Sequence, residues 1–227
     1  MTNESASLPV LRSLGRPVDR GRDHVRGGNA SNKVVTVVVY GDYLCPFCRR
    51  LRLVIAGLRQ TLGERLAYVF RHFPNEAAHP GATSIARAAE AAARQGRFWE
   101  MHDWLYEQEP PLSVERVRDF ARSLGLEMAQ FDGDATSPQT LARVEEDLTE
   151  GRENGVTGTP SFFIDGVRYD GAWDFHSMLE ALQLPLAARL RRSARIFANL
   201  PASGGLVLLL AAAAALICAN TPFAPYY

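Results

Sequence analysis

The sequence predicts an α/β domain in the order β-α-β, a helical block, then β-β-α, with one C-terminal transmembrane helix after it. Three observations lead there. The apolar run Val34–Tyr40 leads into Cys45-Pro46-Phe47-Cys48, and a stretch of helical periodicity follows at once. Asp165-Gly166, a strong two-residue hairpin signal, separates two short strand-like runs just after Thr159-Pro160. Leu206–Ala219 is an unbroken apolar run preceded by clustered arginines.

Met1–Asn32 is polar and rich in Arg and Gly, and it lacks the apolar stretch of a secretory signal. It reads as a disordered lead. Lys33–Tyr40 is β-branched and apolar enough to be a strand buried on both faces. After the two cysteines, Leu51, Val54, Ile55, Leu58 and Leu62 recur at helical spacing, and Gly63 ends that helix. Leu66–Phe73 is a second strand, closed by Pro74. A helical connection between two strands implies parallel pairing. The helical block follows, over His79–Gln95, Phe98–Glu107, Val114–Leu124 with Ser113 as its cap, and Pro138–Glu153. Ser161–Ile164 and Val167–Tyr169 form the hairpin, and Trp173–Leu182 closes the body. The expected layout is a lead over 1–32 and a domain over 33–184 with a helical insertion at about 76–155. A basic linker over 185–201, a spanning helix over 202–220 and a tail over 221–227 complete it.

Bulk composition narrows the function. Basic and acidic residues number 25 each, and zero net charge argues against a nucleic-acid partner. Three cysteines are too few for a disulfide-stapled secreted scaffold. The two in Cys45-Pro46-Phe47-Cys48 stand where a strand passes into a helix. Unpaired N–H groups at a helix start favour an anion, so Cys45 should be the reactive, exposed thiolate. Cys48, one turn on, should be its sheltered partner. A structural zinc site would need further ligands, yet the remaining cysteine, Cys218, lies in the apolar run and no two histidines are close in sequence. No metal and no cofactor are expected.

These residues together resemble the thioredoxin fold in its DsbA-like branch, over about 33–182. The matching stretches are Gly41–Cys48, Arg71-His72-Phe73-Pro74, His79-Pro80, Phe98–Asp103 and Gly155–Phe162. The resemblance implies a thiol–disulfide oxidoreductase acting on protein dithiols and disulfides. It assigns catalysis to Cys45, Cys48 and Pro160, and substrate binding to Pro46, Phe47 and Thr159. It implies a cis bond before Pro160, facing the dithiol. The sequence departs from the pattern at Val39, where relatives often carry a buried acid that handles the proton of the second thiol. Asp42 is expected to be too exposed to replace that acid, and His72 and His102 to be structural. Pro46-Phe47 lacks the histidine of the strongly oxidising members, which implies a less oxidising couple.

The C-terminal stretch from Phe197 through Ala202-Ser203-Gly204-Gly205 to Asn220 resembles the beginning of NhaA-type sodium/proton antiporters. Including Ala202–Gly205, the apolar run reaches the lower end of the spanning range, about 17–25 residues. The chain to Tyr227 offers no acidic pair inside the membrane and a single spanning run, so ion transport is not expected of it as given. Arg189, Arg191, Arg192 and Arg195 precede the run, and Asn220–Tyr227 is uncharged. Positive residues stay cytoplasmic, so the expected topology is single-pass with the dithiol domain in the cytoplasm. The leading functional expectation is a membrane-anchored oxidoreductase. The alternative is a redox-sensing portion of a thioredoxin–antiporter fusion, with further antiporter helices as partners. A third reading, an enzyme acting on glutathione adducts, sits poorly with a second cysteine.

Overall fold

A run dominated by β-branched residues, four valines and a threonine followed by Tyr40 and Gly41, makes β2 (Val35–Gly41), the central strand of a five-stranded sheet. The computed structural model describes residues 13–184. The sheet order is β1-β3-β2-β4-β5. β3 (Leu66–His72) runs parallel to β2, in register from Val35 opposite Leu66 to Gly41 opposite His72. β4 (Ser161–Ile164) is antiparallel on the other side of β2, and β5 (Val167–Tyr169) folds back along β4. Asp165 and Gly166 both take positive φ, 49° and 79°, the backbone a tight two-residue hairpin loop needs.

Successive side chains of β2 point to opposite faces. Val35, Val37 and Val39 enter the larger core, while Val38 and Tyr40 enter a smaller one with Val69, Phe73, Val156 and Phe163. α1 (Pro46–Leu62) buries Cys48, Leu51, Ile55, Leu58 and Leu62 against the larger core. Pro46 at its first turn gives up an N–H that has no helical partner anyway, and Gly63 ends it at φ 53°. The insertion consists of α2 (Ala82–Ala93), α3 (Phe98–Glu107), α4 (Val114–Ser123), α5 (Met128–Thr136) and α6 (Pro138–Glu153). α7 (Phe175–Gln183) closes the described body, with Met178, Ala181 and Leu182 inside.

At the level of the elements, the structure corrects the sequence reading in two places. α5 was not expected: Gly133 and two aspartates give it poor propensity, and Phe131 is its one buried residue. It forms because the Glu127 carboxylate accepts hydrogen bonds from the N–H groups of Ala129 and Gln130, and because it packs on α2. The second correction concerns the lead, which is not disordered where it is described. The Leu14 N–H donates to the Gly166 carbonyl (2.8 Å) and Ser13 bridges Val167 at the β5 edge. The chain then passes over the smaller core with Leu14, Val18 and Val25, and His24–Gly27 forms β1, antiparallel to β3. Residues 1–12 lie outside the description.

A buried ion network fixes this strap. Arg71 on β3 is fully buried; its Nε and Nη2 donate to the Asp23 carboxylate (3.0 and 3.2 Å) and its Nη1 to the Tyr40 hydroxyl (3.1 Å). Arg16 donates both Nη groups to the same carboxylate (3.0 Å each) and its Nε to Glu150 on α6 (2.6 Å). Burial alone would raise the Asp23 carboxyl, but the hydrogen bonds from Arg16 and Arg71 outweigh it and hold it at about 2.

The expected linker (185–201), spanning helix (202–220) and tail lie outside the described residues, as do Cys218 and the four arginines of the linker. Among the described residues, no helix is long and apolar enough to cross a membrane.

Candidate active site

Cys45 is the N-cap of α1, at the C-terminal end of the strand–loop that leaves β2. No acidic residue occupies the first turn of α1, so nothing there repels a thiolate. Cys45 and Cys48 are both reduced. The Cys48 thiol is the largest influence on Cys45, donating a hydrogen bond to its sulfur; burial opposes this, and the Thr159 side chain and the N–H groups of Cys48 and Phe47 assist. The balance brings Cys45 down to about 5. Cys48 moves the opposite way: burial, and then the proximity of Cys45, push its thiol well above the usual 9.0. The pair therefore holds one thiolate and one thiol at neutral pH.

Exposure does not separate the two as expected. Cys45 is 3% exposed and Cys48 2%, so Cys45 is covered too. Thr159 does part of the covering: its carbonyl oxygen lies 3.4 Å from the Cys45 sulfur. The Thr159–Pro160 bond is cis, and β4 begins at the next residue. Pro46 and Phe47 are exposed beside the sulfurs, with the Arg50 guanidinium over the Phe47 ring. Cys45, Cys48, Pro46, Phe47, Thr159 and Pro160 thus gather beyond the C-terminal end of β2, where α1 and β4 begin.

Asp42 is also unlike its expectation. It is 2% exposed, not a surface group. Its carboxylate accepts from the N–H groups of Leu44 (2.8 Å) and Asn75 (3.0 Å) and pairs with His79 Nδ1 (2.7 Å). Those contacts occupy it in pinning the loop that delivers Cys45, which also donates its own N–H to the Asp42 carbonyl (3.2 Å). The partners that bury it, Asn75 and His79, are remote in sequence.

His72 and His102 serve the interior. His102 lies between the hydroxyls of Tyr43 (3.1 Å, to Nδ1) and Tyr68 (3.4 Å, to Nε2), and burial holds it well below 6.5, neutral. His72 and His24 both direct Nε2 at one oxygen of Glu90, at 2.8 and 2.7 Å. Burial would raise Glu90, but those two histidines hold it far below the carboxylate range. Among the described residues, these three are the one group of metal-type donors lying within 4.8 Å of one another. Their ligand atoms already satisfy each other at hydrogen-bond distances.

Comparison with known proteins agrees with this geometry. The family model described as Thioredoxin matches residues 20–183. A thioredoxin-like oxidoreductase from Silicibacter pomeroyi DSS-3 superposes with a TM-score of 0.62 at 28% identity, covering 75% of this chain and 93% of that one. The chain is 42% identical over 177 residues to a Na(+)/H(+) antiporter NhaA 1 of Mycolicibacterium gilvum, covering 77% of this chain but 28% of that protein. A Na(+)/H(+) antiporter NhaA of Nitrosospira multiformis is 36% identical over 213 residues, 93% of this chain and 34% of its own length. The chain thus spans about a third or less of these curated relatives.

Proposed function

The chain belongs to the thioredoxin family, and from that premise we propose that it is a thiol–disulfide oxidoreductase of the DsbA-like kind, acting on protein dithiols and disulfides. The Cys45 thiolate attacks a substrate disulfide and expels one substrate sulfur. Cys48 then attacks Cys45 in the mixed disulfide. The substrate leaves as a dithiol and Cys45–Cys48 remains as a disulfide; the reverse sequence oxidises a dithiol. Pro160 and Thr159 border the attacking sulfur, and Phe47 offers an exposed apolar contact to substrate.

The observation that carries this reading is the opposed acidity of the two thiols, one at about 5 and one well above 9.0. Only an ionised sulfur attacks, and only a protonated partner waits until the mixed disulfide forms. A Cys45 value of about 5 falls between the roughly 7 of thioredoxin and the roughly 3.5 of DsbA. It supports a couple of intermediate oxidising strength, since a more stable thiolate makes the disulfide easier to reduce. The test is trapping. Cys48→Ala should accumulate a mixed disulfide with a disulfide-bonded model protein, and Cys45→Ser should neither trap nor reduce it. Equal trapping by Cys45→Ser would reject the assignment.

A second reading is favoured by the names and lengths of the curated relatives. The Nitrosospira multiformis match is long enough to run into the apolar stretch beyond the described body. On this reading the dithiol domain is the leading module of a membrane antiporter, held at the membrane by the segment at 202–220, with antiporter helices as partners and the dithiol reporting redox state. An adjoining open reading frame encoding the remaining helices would support it. The two readings share the same dithiol chemistry and differ in what that chemistry serves.

A further inference from the structure

Cys48 must lose a proton before it can attack, yet it is buried, and β2 presents Val39 where a carboxylate could have taken that proton. The structure has something else there. A cavity of about 160 Å³ lies against Cys48, walled by Val39, Tyr68, His102 and Tyr106. Towards the surface it is lined by Arg52, Ala56 and Glu107, and the charged groups Arg26, Arg59 and Asp103 also border it. Ala56 is exposed on α1, and half of the Glu107 side chain reaches solvent, so the cavity extends from the thiol towards the surface. That volume admits several waters, and a water is stable where it finds two or more polar partners. Polar groups are at hand. Arg52 Nη1 donates to Glu107 (3.1 Å), while its Nε is buried with no protein partner, a donor that a cavity water would satisfy. His102 is poorly suited to accept the proton itself, because both ring nitrogens are engaged by the Tyr43 and Tyr68 hydroxyls.

We propose that this cavity is the proton exit of Cys48: its water takes the proton from the Cys48 Sγ–H and delivers it to the Glu107 carboxylate and the solvent outside. The inference rests on the exchange reaction proposed above. In the resolving step the Cys48 S–H bond breaks and its proton passes to the cavity water. The Cys48 sulfur pair forms the Cys45–Cys48 bond as the bond from Cys45 to the substrate breaks. The substrate sulfur departs as a thiolate and takes a proton from solvent, so two electrons and the proton count balance. A hydrated cavity here replaces a buried acid, and Ala56 is a positioning residue whose small side chain keeps the mouth open.

Stopped-flow reaction of the reduced full chain with an aromatic disulfide that releases a coloured thiolate tests this. The first release reports attack by Cys45; the second reports attack by Cys48 on the adduct. Ala56→Leu and Ala56→Phe narrow the mouth from an exposed helix position and leave both sulfurs untouched, and Ala56→Ser keeps it open. The first phase should be unchanged in all three. The second should slow by about tenfold or more in Ala56→Phe, less in Ala56→Leu and not in Ala56→Ser, as loss of an assisted proton transfer requires. Its solvent deuterium isotope effect should rise in the same order, which a purely structural disturbance would not produce. An unchanged second phase in both Leu and Phe variants overturns the proposal. Absence of the first phase in the wild-type chain overturns the exchange reading itself, and this route with it.

Discussion

Cys45 and Cys48 are one helical turn apart, yet their environments drive their acidities in opposite directions: the hydrogen bond from Cys48 lowers Cys45, and burial raises Cys48. Alkylation of the reduced protein should therefore label Cys45 first, with a rate that rises with pH about a midpoint near 5. Mass spectrometry of quenched samples checks the order, and preferential labelling of Cys48 would contradict it. The same acidity makes a statement about stability. The folded value of Cys45 lies below the ordinary 9.0, so its thiolate stabilises the reduced fold. That contribution is complete above pH about 9 and is lost as pH falls through about 5. The melting temperature of the reduced wild type should thus exceed that of Cys45→Ser most at alkaline pH, the gap closing towards pH 5. Val39 supplies a third expectation at this scale. Val39→Glu places a carboxylate against the cavity beside Cys48, so the resolving step should quicken near neutral pH while the midpoint in urea falls. Single-turnover kinetics and urea melts read the two effects separately.

At the scale of elements, the strap over residues 13–27 is held to the sheet by charge as much as by apolar contact. β1 is a four-residue edge strand of modest burial, too short to hold by its own ladder. Asp23, the residue before it, is locked by two arginines inside the fold. Asp23→Asn would leave Arg71 buried with its charge uncompensated, and the loss should be about 3–5 kcal/mol. Chemical denaturation measures it; a loss under about 1 kcal/mol would mean that the network adds little. Because the folded value of Asp23 is depressed, its contribution is present above the ordinary 3.8 and disappears as pH falls through about 2. Acid unfolding of the Asp23→Asn variant should accordingly be shallower in that window than that of the wild type. β1 was hard to see in the sequence because His-Val-Arg-Gly has neither alternation nor length; its pairing with β3 creates the strand. α5 was hidden for the complementary reason, a weak intrinsic helix completed by the Glu127 cap and by α2.

At the scale of the whole molecule, the question is where the dithiol domain operates. We propose a topology with the domain on the cytoplasmic side, because Arg189, Arg191, Arg192 and Arg195 lie just before the apolar run. In a reducing compartment the pair would rest as dithiol, suiting a reductase or a sensor. A membrane-impermeant maleimide should then leave Cys45 unlabelled in intact cells and label it after lysis. Ready labelling from outside would overturn both the topology and the reductase direction.

By itself the sequence determined the element order around Cys45–Cys48, the Asp165-Gly166 hairpin and the placing of the dithiol where a strand passes into a helix. Those are local matters, written in β-branched runs, helical spacing and turn chemistry over a few residues. The reading of His72 and His102 as interior groups, and of Val39 as the place of a missing acid, came from the resemblance to the DsbA-like branch. Tertiary structure decided what depends on remote partners. It buried Asp42 between Leu44, Asn75 and His79, covered Cys45 with Thr159, and turned part of a supposed lead into a strap locked by Asp23 and Arg71. It also added what the helix start alone did not show, the hydrogen bond from Cys48 that lowers Cys45 and the burial that raises Cys48. Burial and hydrogen bonding are properties of the packed neighbourhood, and that neighbourhood is drawn from residues more than a hundred positions apart, Cys45 and Thr159 among them.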